Sequence, residues 1–325
     1  MKKMQKSIMV ALVALFTLSA SAQQVNTLYF LENAPMRHTI NPAFQPVSKG
    51  YFSFSPLGWM SFGVGNNSFT MSDILFVDPA TGKTITPFHP NADKLAFFNK
   101  VQEMTLINTD INIGLLNFGG RIKDNGYFTI GINERVVGGP TIPKSMFNFF
   151  FNGGMTNMTG VNNIALGGLG AGVSVYSEIS GGYSHRINDK WSVGGKVKLL
   201  LGHAYAGMNM NGLNIDASTE QWRLSGDITM DVAAPINMPY FNQLVNGKNM
   251  AQIVETFQNG SFSKDSIFPA TNNVAYALRA MTPVGFGAAF DLGLTYKPIE
   301  NLQITAAITD SDSSIGPAVH ATPAR

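Results

Sequence analysis

The eleven residues from Trp222 to Val232 alternate without interruption. Trp222, Leu224, Gly226, Ile228, Met230 and Val232 share one parity, while Arg223, Ser225, Asp227, Thr229 and Asp231 share the other. Successive side chains on a strand point to opposite faces, so this segment has one apolar or small face and one charged face. A half-buried strand of a soluble sheet alternates in the same way, and recurrence is what narrows the choice. Trp191, Val193, Gly195, Val197, Leu199 and Leu201 oppose Ser192, Gly194, Lys196, Lys198, Leu200 and Gly202. Phe286, Ala288, Phe290, Leu292, Leu294 and Tyr296 oppose Gly287, Ala289, Asp291, Gly293, Thr295 and Lys297. Repeated alternation over about 9 to 11 residues is the length a tilted strand needs to cross a bilayer.

The amino terminus bears on compartment. Lys2, Lys3 and Lys6 precede an apolar run from Ile8 to Leu18, and Ala20-Ser21-Ala22 fits the small-x-small cleavage pattern before Gln23. Residues 1–22 therefore read as a secretory signal peptide. The apolar run is shorter than the 18 or more residues of a spanning helix, which argues against an uncleaved anchor. The chain has 22 Lys and Arg against 20 Asp and Glu; removal of the three leader lysines leaves 19 against 20. The basic pI is thus a property of the leader, and no cluster of Lys and Arg in the mature region suggests nucleic-acid binding.

The absence of cysteine excludes a disulfide scaffold, a Cys-ligated metal site and a lipid-modified amino-terminal cysteine. Charged residues make up 13% of the chain, about half the usual globular share. Glycine and aromatic residues are abundant, at 33 residues and 11%. The longest uncharged stretch, between Lys144 and Glu178, is studded with Asn, Gly and Thr and would not pass as a spanning helix. An exported chain of this composition is expected to be an outer-membrane β-barrel.

Turn chemistry agrees. Lys123-Asp124-Asn125-Gly126, Asn188-Asp189-Lys190 and Pro298-Ile299-Glu300-Asn301 separate alternating segments, and Asn-Gly accepts the positive φ that hairpins require. Much longer links run over 137–172 and 234–284. Short turns at one end and long loops at the other match bacterial barrels, with the short side periplasmic. Tyr127, Phe128, Trp191 and Tyr296 flank the tight turns, where an interfacial aromatic girdle would lie. If 191–202 runs outward and 286–297 inward, an even number of strands lies between them, so 206–216 is expected to be a separate partner of 222–232, with an irregularity at Gly212-Leu213. Within 234–284, residues 241–245 and 249–257 are expected to be helical.

Asn26-Thr27-Leu28-Tyr29-Phe30-Leu31, then Arg37-His38 and Asn41-Pro42-Ala43-Phe44, open the mature region. Further along come Glu134-Arg135, Ile142-Pro143, Glu178 with Gly181-Gly182-Tyr183-Ser184, the segment Gly194 to Gly202, and Asp291-Leu292-Gly293-Leu294. Together these pieces resemble an outer-membrane family of unknown function found in Bacteroidetes, over about residues 26–310. Asn41-Pro42-Ala43 is also similar to the NPA element in the amino-terminal hatch of FadL-type hydrophobic-compound transporters. The resemblance implies a β-barrel at the outer membrane and supplies no catalytic or ligand-binding residues. It fails after Ile308-Thr309-Asp310, where a Ser-, Ala- and Pro-rich tail begins. That tail is expected to be either the mark of truncation or frameshift or a disordered terminus.

The expected organisation is an antiparallel transmembrane β-barrel, complete or incomplete, of about 8 to 10 strands with short helices in long loops. Residues 1–22 form the leader, 23–50 an amino-terminal plug segment, 51–309 the barrel and 310–325 the atypical tail. Chemistry is sparse. His38, His89, His185, His203 and His320 form no metal-ligand motif, Gly82-Lys83-Thr84 lacks the upstream glycine of a P-loop, and no nucleophile elbow occurs. No enzyme, cofactor or metal is expected. The polar parities nominate Lys196, Lys198, Arg223, Asp227, Asp231 and Asp291 as lumen-facing. Met146, Phe147, Phe149, Phe150 and Phe151 read as a short apolar helix. In one reading that helix gates a passage for small hydrophobic compounds, with Phe147 and Phe150 on one face. In the other it packs a loop of a structural or assembly protein whose long loops bind a protein partner. Outer-membrane lipid surrounds the protein in both.

Overall fold

The computed structural model describes residues 28, 31–55, 58–151, 162–217, 222–234, 243, 252, 255, 259, 282–299, 302–315 and 319–321. Residues 1–22, where a leader is expected, lie outside them, as do the helices expected at 241–257 apart from Gln243, Gln252 and Glu255. In chain order the elements are a 3-10 turn (Pro35–Thr39), β1 (Gly50–Phe54), β2 (Met60–Asn66), α1 (Met71–Ile74), β3 (Phe76–Val77), β4 (Thr84–Ile85), α2 (Lys94–Lys100), β5 (Met104–Ile122), β6 (Gly126–Pro143), α3 (Lys144–Phe151), β7 (Asn162–Ala165), β8 (Leu169–Arg186), β9 (Trp191–Ala217), β10 (Trp222–Ala233), β11 (Gly285–Ile299), β12 (Leu302–Ile315) and β13 (Val319–Ala321).

Antiparallel pairing arranges these strands in columns. β1 and β2 lie end to end along β5, from Gly50 opposite Gly120 to Asn66 opposite Ile107. β6 follows β5, and β8 follows β6. β7 and β8 form one interrupted column along β9, with Ala165 opposite Asn214 and Leu169 opposite Met210. On the other side of β9, β10 covers Tyr205 to Ala217 and β11 covers Trp191 to Gly202. β12 pairs with β11 and β13 with β10.

This arrangement corrects one expectation. Residues 206–216 are not a separate strand; they continue β9, which runs unbroken from Trp191 to Ala217. The parity problem dissolves because β10 and β11 run in the same direction along a single neighbour, and the 234–284 link is inserted between them. The irregularity expected at Gly212-Leu213 is present. Gly212 takes φ +62°, and the register shifts between Ser225 and Asp227, as a bulge requires. Part of the tail at 310–325 is also described. β12 extends to Ile315 opposite Phe286, and Val319–Ala321 pairs with Met230–Val232. Backbone partners on β11 and β10 are enough to extend the sheet through a Ser- and Asp-rich segment of low strand propensity.

The sheet is antiparallel and open among the described residues: β12 pairs only with β11, and β1 and β2 only with β5. The expected closure into a barrel is therefore not formed by these columns. No helix among the described residues is long and apolar enough to cross a membrane, which bears only on helical spans.

The two faces of the sheet differ sharply. Phe52, Phe62, Val197, Phe286, Leu292 and Ile308 stand exposed on the apolar face. Asn117, Thr129, Asn133, Glu178, Ser180, Lys196, Lys198 and Asp291 are buried on the other. Apolar side chains outside and charges inside reverse the arrangement of a water-soluble sheet.

The two ends are also distinct. At the end opposite the tight turns, residues 67–101 fold over as a cap. Asn67 donates its side-chain N–H to the Met104 carbonyl at 3.0 Å and accepts from the Leu106 N–H at 2.9 Å. The Asp73 carboxylate accepts from the Thr70 N–H at 2.8 Å and pairs with Lys100. The Lys100 ammonium foremost, then the Thr70 donors, hold Asp73 down to about 2.

Candidate functional site

At the tight-turn end the chain before β1 crosses the polar face of the sheet. This strap, residues 35–46, is fixed by contacts to several columns. Gln45 donates to the Asn125 carbonyl at 2.8 Å and to the Ser184 carbonyl at 3.3 Å. Arg121 donates to the Pro46 carbonyl at 3.0 Å. Asn41 accepts the Ala43 N–H at 2.8 Å and donates to the carbonyls of Leu294 and Ala306 at 3.4 and 3.2 Å. The Asn41-Pro42-Ala43 element thereby ties the strap to β11 and β12 while holding its own tight turn.

Glycine makes the approach possible. A Cβ on Gly194 would fall 2.2 Å from the Pro42 carbonyl oxygen, and one on Gly293 2.0 Å from Asn41 Oδ1. His38 belongs to the same strap, its Nε2 2.7 Å from the Tyr51 hydroxyl. Burial, and secondarily the Lys196 charge, hold its imidazole well below the usual histidine value, so His38 is neutral at neutral pH.

Beyond the strap, charges from successive columns form one network. Arg135 on β6 pairs with Asp110 on β5 and lies 3.7 Å from Glu178 on β8. Lys198 on β9 is 3.8 Å from Glu178 and 2.9 Å from Asp291 on β11. Asn117 donates to Asn133 at 2.9 Å, and Asn133 donates to Glu178 at 3.5 Å. Buried charges survive only when paired and hydrogen-bonded, and here each pairing crosses between strands.

The six polar candidates from the sequence separate into two groups. Lys196, Lys198 and Asp291 are buried near the strap. Arg223 and Asp227 are exposed and Asp231 half-buried on β10, along the upper half of β9. Asp110, Arg135 and Glu178 complete the network and were absent from the candidates. Their signal was available for Arg135, which shares parity with Asn133 on β6, but the links between columns required the register.

The aromatic candidates also divide. Phe147 packs 6.4 Å from both Phe69 and Phe97, ring centre to ring centre. Phe151 lies 5.1 Å from Phe88 and 5.5 Å from Phe97. Phe149 contacts Phe150, while Phe150 itself is 52% exposed and Met146 half-buried. The packed face therefore joins Phe147 to Phe151, one helical turn on, and leaves out Phe150, contrary to the expected pairing of Phe147 with Phe150.

An antiparallel sheet with a buried polar face, a strap across one end and a loop cap at the other defines an all-β protein. Among the described residues no cluster of His, Asp and Glu could hold a metal ion. Over residues 42–310 the chain matches the model of a family of unknown function, DUF5723, and it belongs to that family. No curated protein and no solved structure matches it.

Proposed function

We propose that this chain is an outer-membrane β-barrel protein whose polar face lines an occluded interior and whose loops serve a structural or partner-binding role. The observation that carries this reading is the division of faces: Asp291 is fully buried, while Phe290 and Leu292 beside it in sequence are 47% and 52% exposed. Such a sheet needs lipid against its apolar side and a protected interior on the other. The signal-peptide reading of residues 1–22 supports export, and outer-membrane lipid is then the surrounding partner.

Of the two roles open from sequence, the geometry favours the structural one. A passage for small hydrophobic compounds calls for an apolar route. The described interior instead carries the strap and the Asp110-Arg135-Glu178-Lys198-Asp291 network. Two of the residues proposed as a gate, Phe147 and Phe151, are engaged in packing the cap.

The test is fractionation together with face-specific charge. The protein should be extracted with detergent from outer membranes. Ile228→Arg should impair insertion by about 2 to 4 kcal/mol if the site meets mid-bilayer lipid, whereas Thr229→Arg should be tolerated. Recovery of mature protein in the soluble periplasmic fraction, or equal effects of both substitutions, would overturn the reading.

A further inference from the structure

Three polar side chains meet on the face of the sheet that is mainly apolar. Glu134 shares its parity with Ile132 and Val136 on β6, and it pairs with Ser177 on β8. The Ser177 hydroxyl donates to Glu134 Oε2 at 2.6 Å and lies 2.7 Å from His203 Nε2. His203 Nε2 is 4.0 Å from Glu134 Oε1. The Glu134 and His203 side chains are 26% and 24% exposed, so the cluster is reachable from outside. The serine sits between the acid and the imidazole, which is the wrong order for a hydrolytic triad, where the imidazole must lie between nucleophile and acid.

A break in the sheet brings His203 there. On the β8 side Tyr176 pairs with Gly202 and Val175 with Ala204, leaving His203 as the extra residue of a bulge. On the other side, β11 pairing ends at Gly202 and β10 pairing begins at Tyr205. His203 thus occupies the junction where one neighbouring strand gives way to another, and bulges at such places re-aim side chains.

Just beyond the cluster, on the same face, lies an open apolar depression of about 420 Å³. Its small-residue floor includes Gly138, Ala171 and Ala206, and its sides include Ile111, Met230 and Val232. Its volume falls within the range of ligand pockets, about 300 to 1,000 Å³. A polar cluster at one end of an apolar trough matches an amphiphile. Because the cluster carries a carboxylate, it suits a head that donates hydrogen bonds and disfavours an anionic one.

We propose that this face binds a long-chain amphiphile with an amine or hydroxyl head, the chain lying in the depression and the head at Glu134, Ser177 and His203. The inference rests on the reading of this face as lipid-facing, since that setting supplies such molecules. An ionisable group on a lipid-facing surface is costly, which is consistent with a ligand-binding role.

The test uses two nitroxide-labelled probes, hexadecylamine and palmitic acid, with the full chain in detergent solution. The fraction of immobilised probe is read by electron paramagnetic resonance. The amine should be held in preference to the acid. Glu134→Gln should lower that preference by about tenfold or more, the scale of losing one charge-assisted hydrogen bond. Ala206→Phe should fill the trough and abolish binding of the amine, while Val197→Phe, on the same face but outside it, should not. Equal immobilisation of both probes by the wild-type protein, or an unchanged preference in Glu134→Gln, would overturn the proposal; should Ala206→Phe lose its β-sheet circular dichroism, Glu134→Gln decides alone. Ala206→Cys adds a single thiol to a chain without cysteine, and efficient disulfide-linked dimers with loss of amine binding would assign the trough to a second copy instead. Liposome flotation of the same preparation reports separately on the membrane reading, because probe binding in detergent does not require insertion.

Discussion

Gly194 and Gly293 stand directly opposite each other across β9 and β11, and the notch they leave is occupied by Asn41-Pro42-Ala43. Two missing side chains thus let backbone from residue 42 come within contact of strands more than 150 residues later in sequence. Gly293→Val should force Asn41 and Ala43 to move, since even a Cβ there would fall 2.0 and 2.8 Å from their atoms. Overpacking of this kind costs about 1 to 3 kcal/mol. Limited proteolysis should then cleave the strap faster, whereas Gly181→Ala, where an added Cβ meets nothing within 4 Å, should leave the rate unchanged.

The same strap should respond to pH through His38. Its imidazole is held neutral in the fold by burial and by Lys196, while in an unfolded or released strap it titrates near 6.5. The released state therefore binds more protons at pH values between the depressed folded pKa and about 6.5, so docking strengthens as pH rises through that window and weakens as it falls. Tyr51, Tyr127 and Lys196 also face this site. Strap cleavage should accelerate from pH 7 to pH 5 in the wild-type protein. His38→Gln retains a polar group for the Tyr51 hydroxyl but cannot titrate, and it should flatten the profile; a profile identical to wild type would assign the dependence elsewhere.

The strands were legible wherever alternation was long and turn residues were explicit, as at Trp191 to Leu201, Trp222 to Val232 and Phe286 to Tyr296. What sequence did not carry was collinearity. Nothing local distinguishes residues 206–216 as a continuation of β9 from the same residues as a new strand, because a bulge with a glycine at φ +62° and a turn use similar residues. The buried network was partly legible as charges on polar parities, but parity only says which face a residue occupies. The Asp110-Arg135 and Lys198-Asp291 pairings depend on register between columns. His203 is the clearest miss: a bulge brings it to Ser177, and spacing alone would not have found it.

Lys198 and Asp291 give the sharpest test of the buried network. With Lys198→Met, Asp291 and Glu178 both lose a cation within 4 Å in a buried setting. Removing one member of a buried pair costs about 3 to 5 kcal/mol, whereas replacing both partners with apolar residues is often close to neutral. The single variant should lower the denaturation midpoint in detergent substantially, and Lys198→Met with Asp291→Leu should recover part of it. If the double variant is no better than the single, the two side chains are not coupled as the 2.9 Å contact implies.

The aromatic helix distinguishes a gate from packing. Phe147 and Phe151 lie against Phe69, Phe88 and Phe97, whereas Phe150 is exposed. Full loss of a buried Phe costs about 3 to 5 kcal/mol, and half-buried rings should cost less. Phe147→Ser with Phe151→Ser should therefore loosen the cap, seen as faster proteolysis within residues 67–101 and a lower unfolding midpoint. Phe150→Ser is an exposed change and should shift stability by no more than about 0.5 kcal/mol. A gate predicts the opposite weighting: the exposed Phe150 would alter uptake of hydrophobic probes while cap stability stayed constant. Finding a selective uptake defect for Phe150→Ser in a normally folded protein would restore the passage reading, and finding cap loosening only in the Phe147 and Phe151 double variant would leave these aromatics as packing residues.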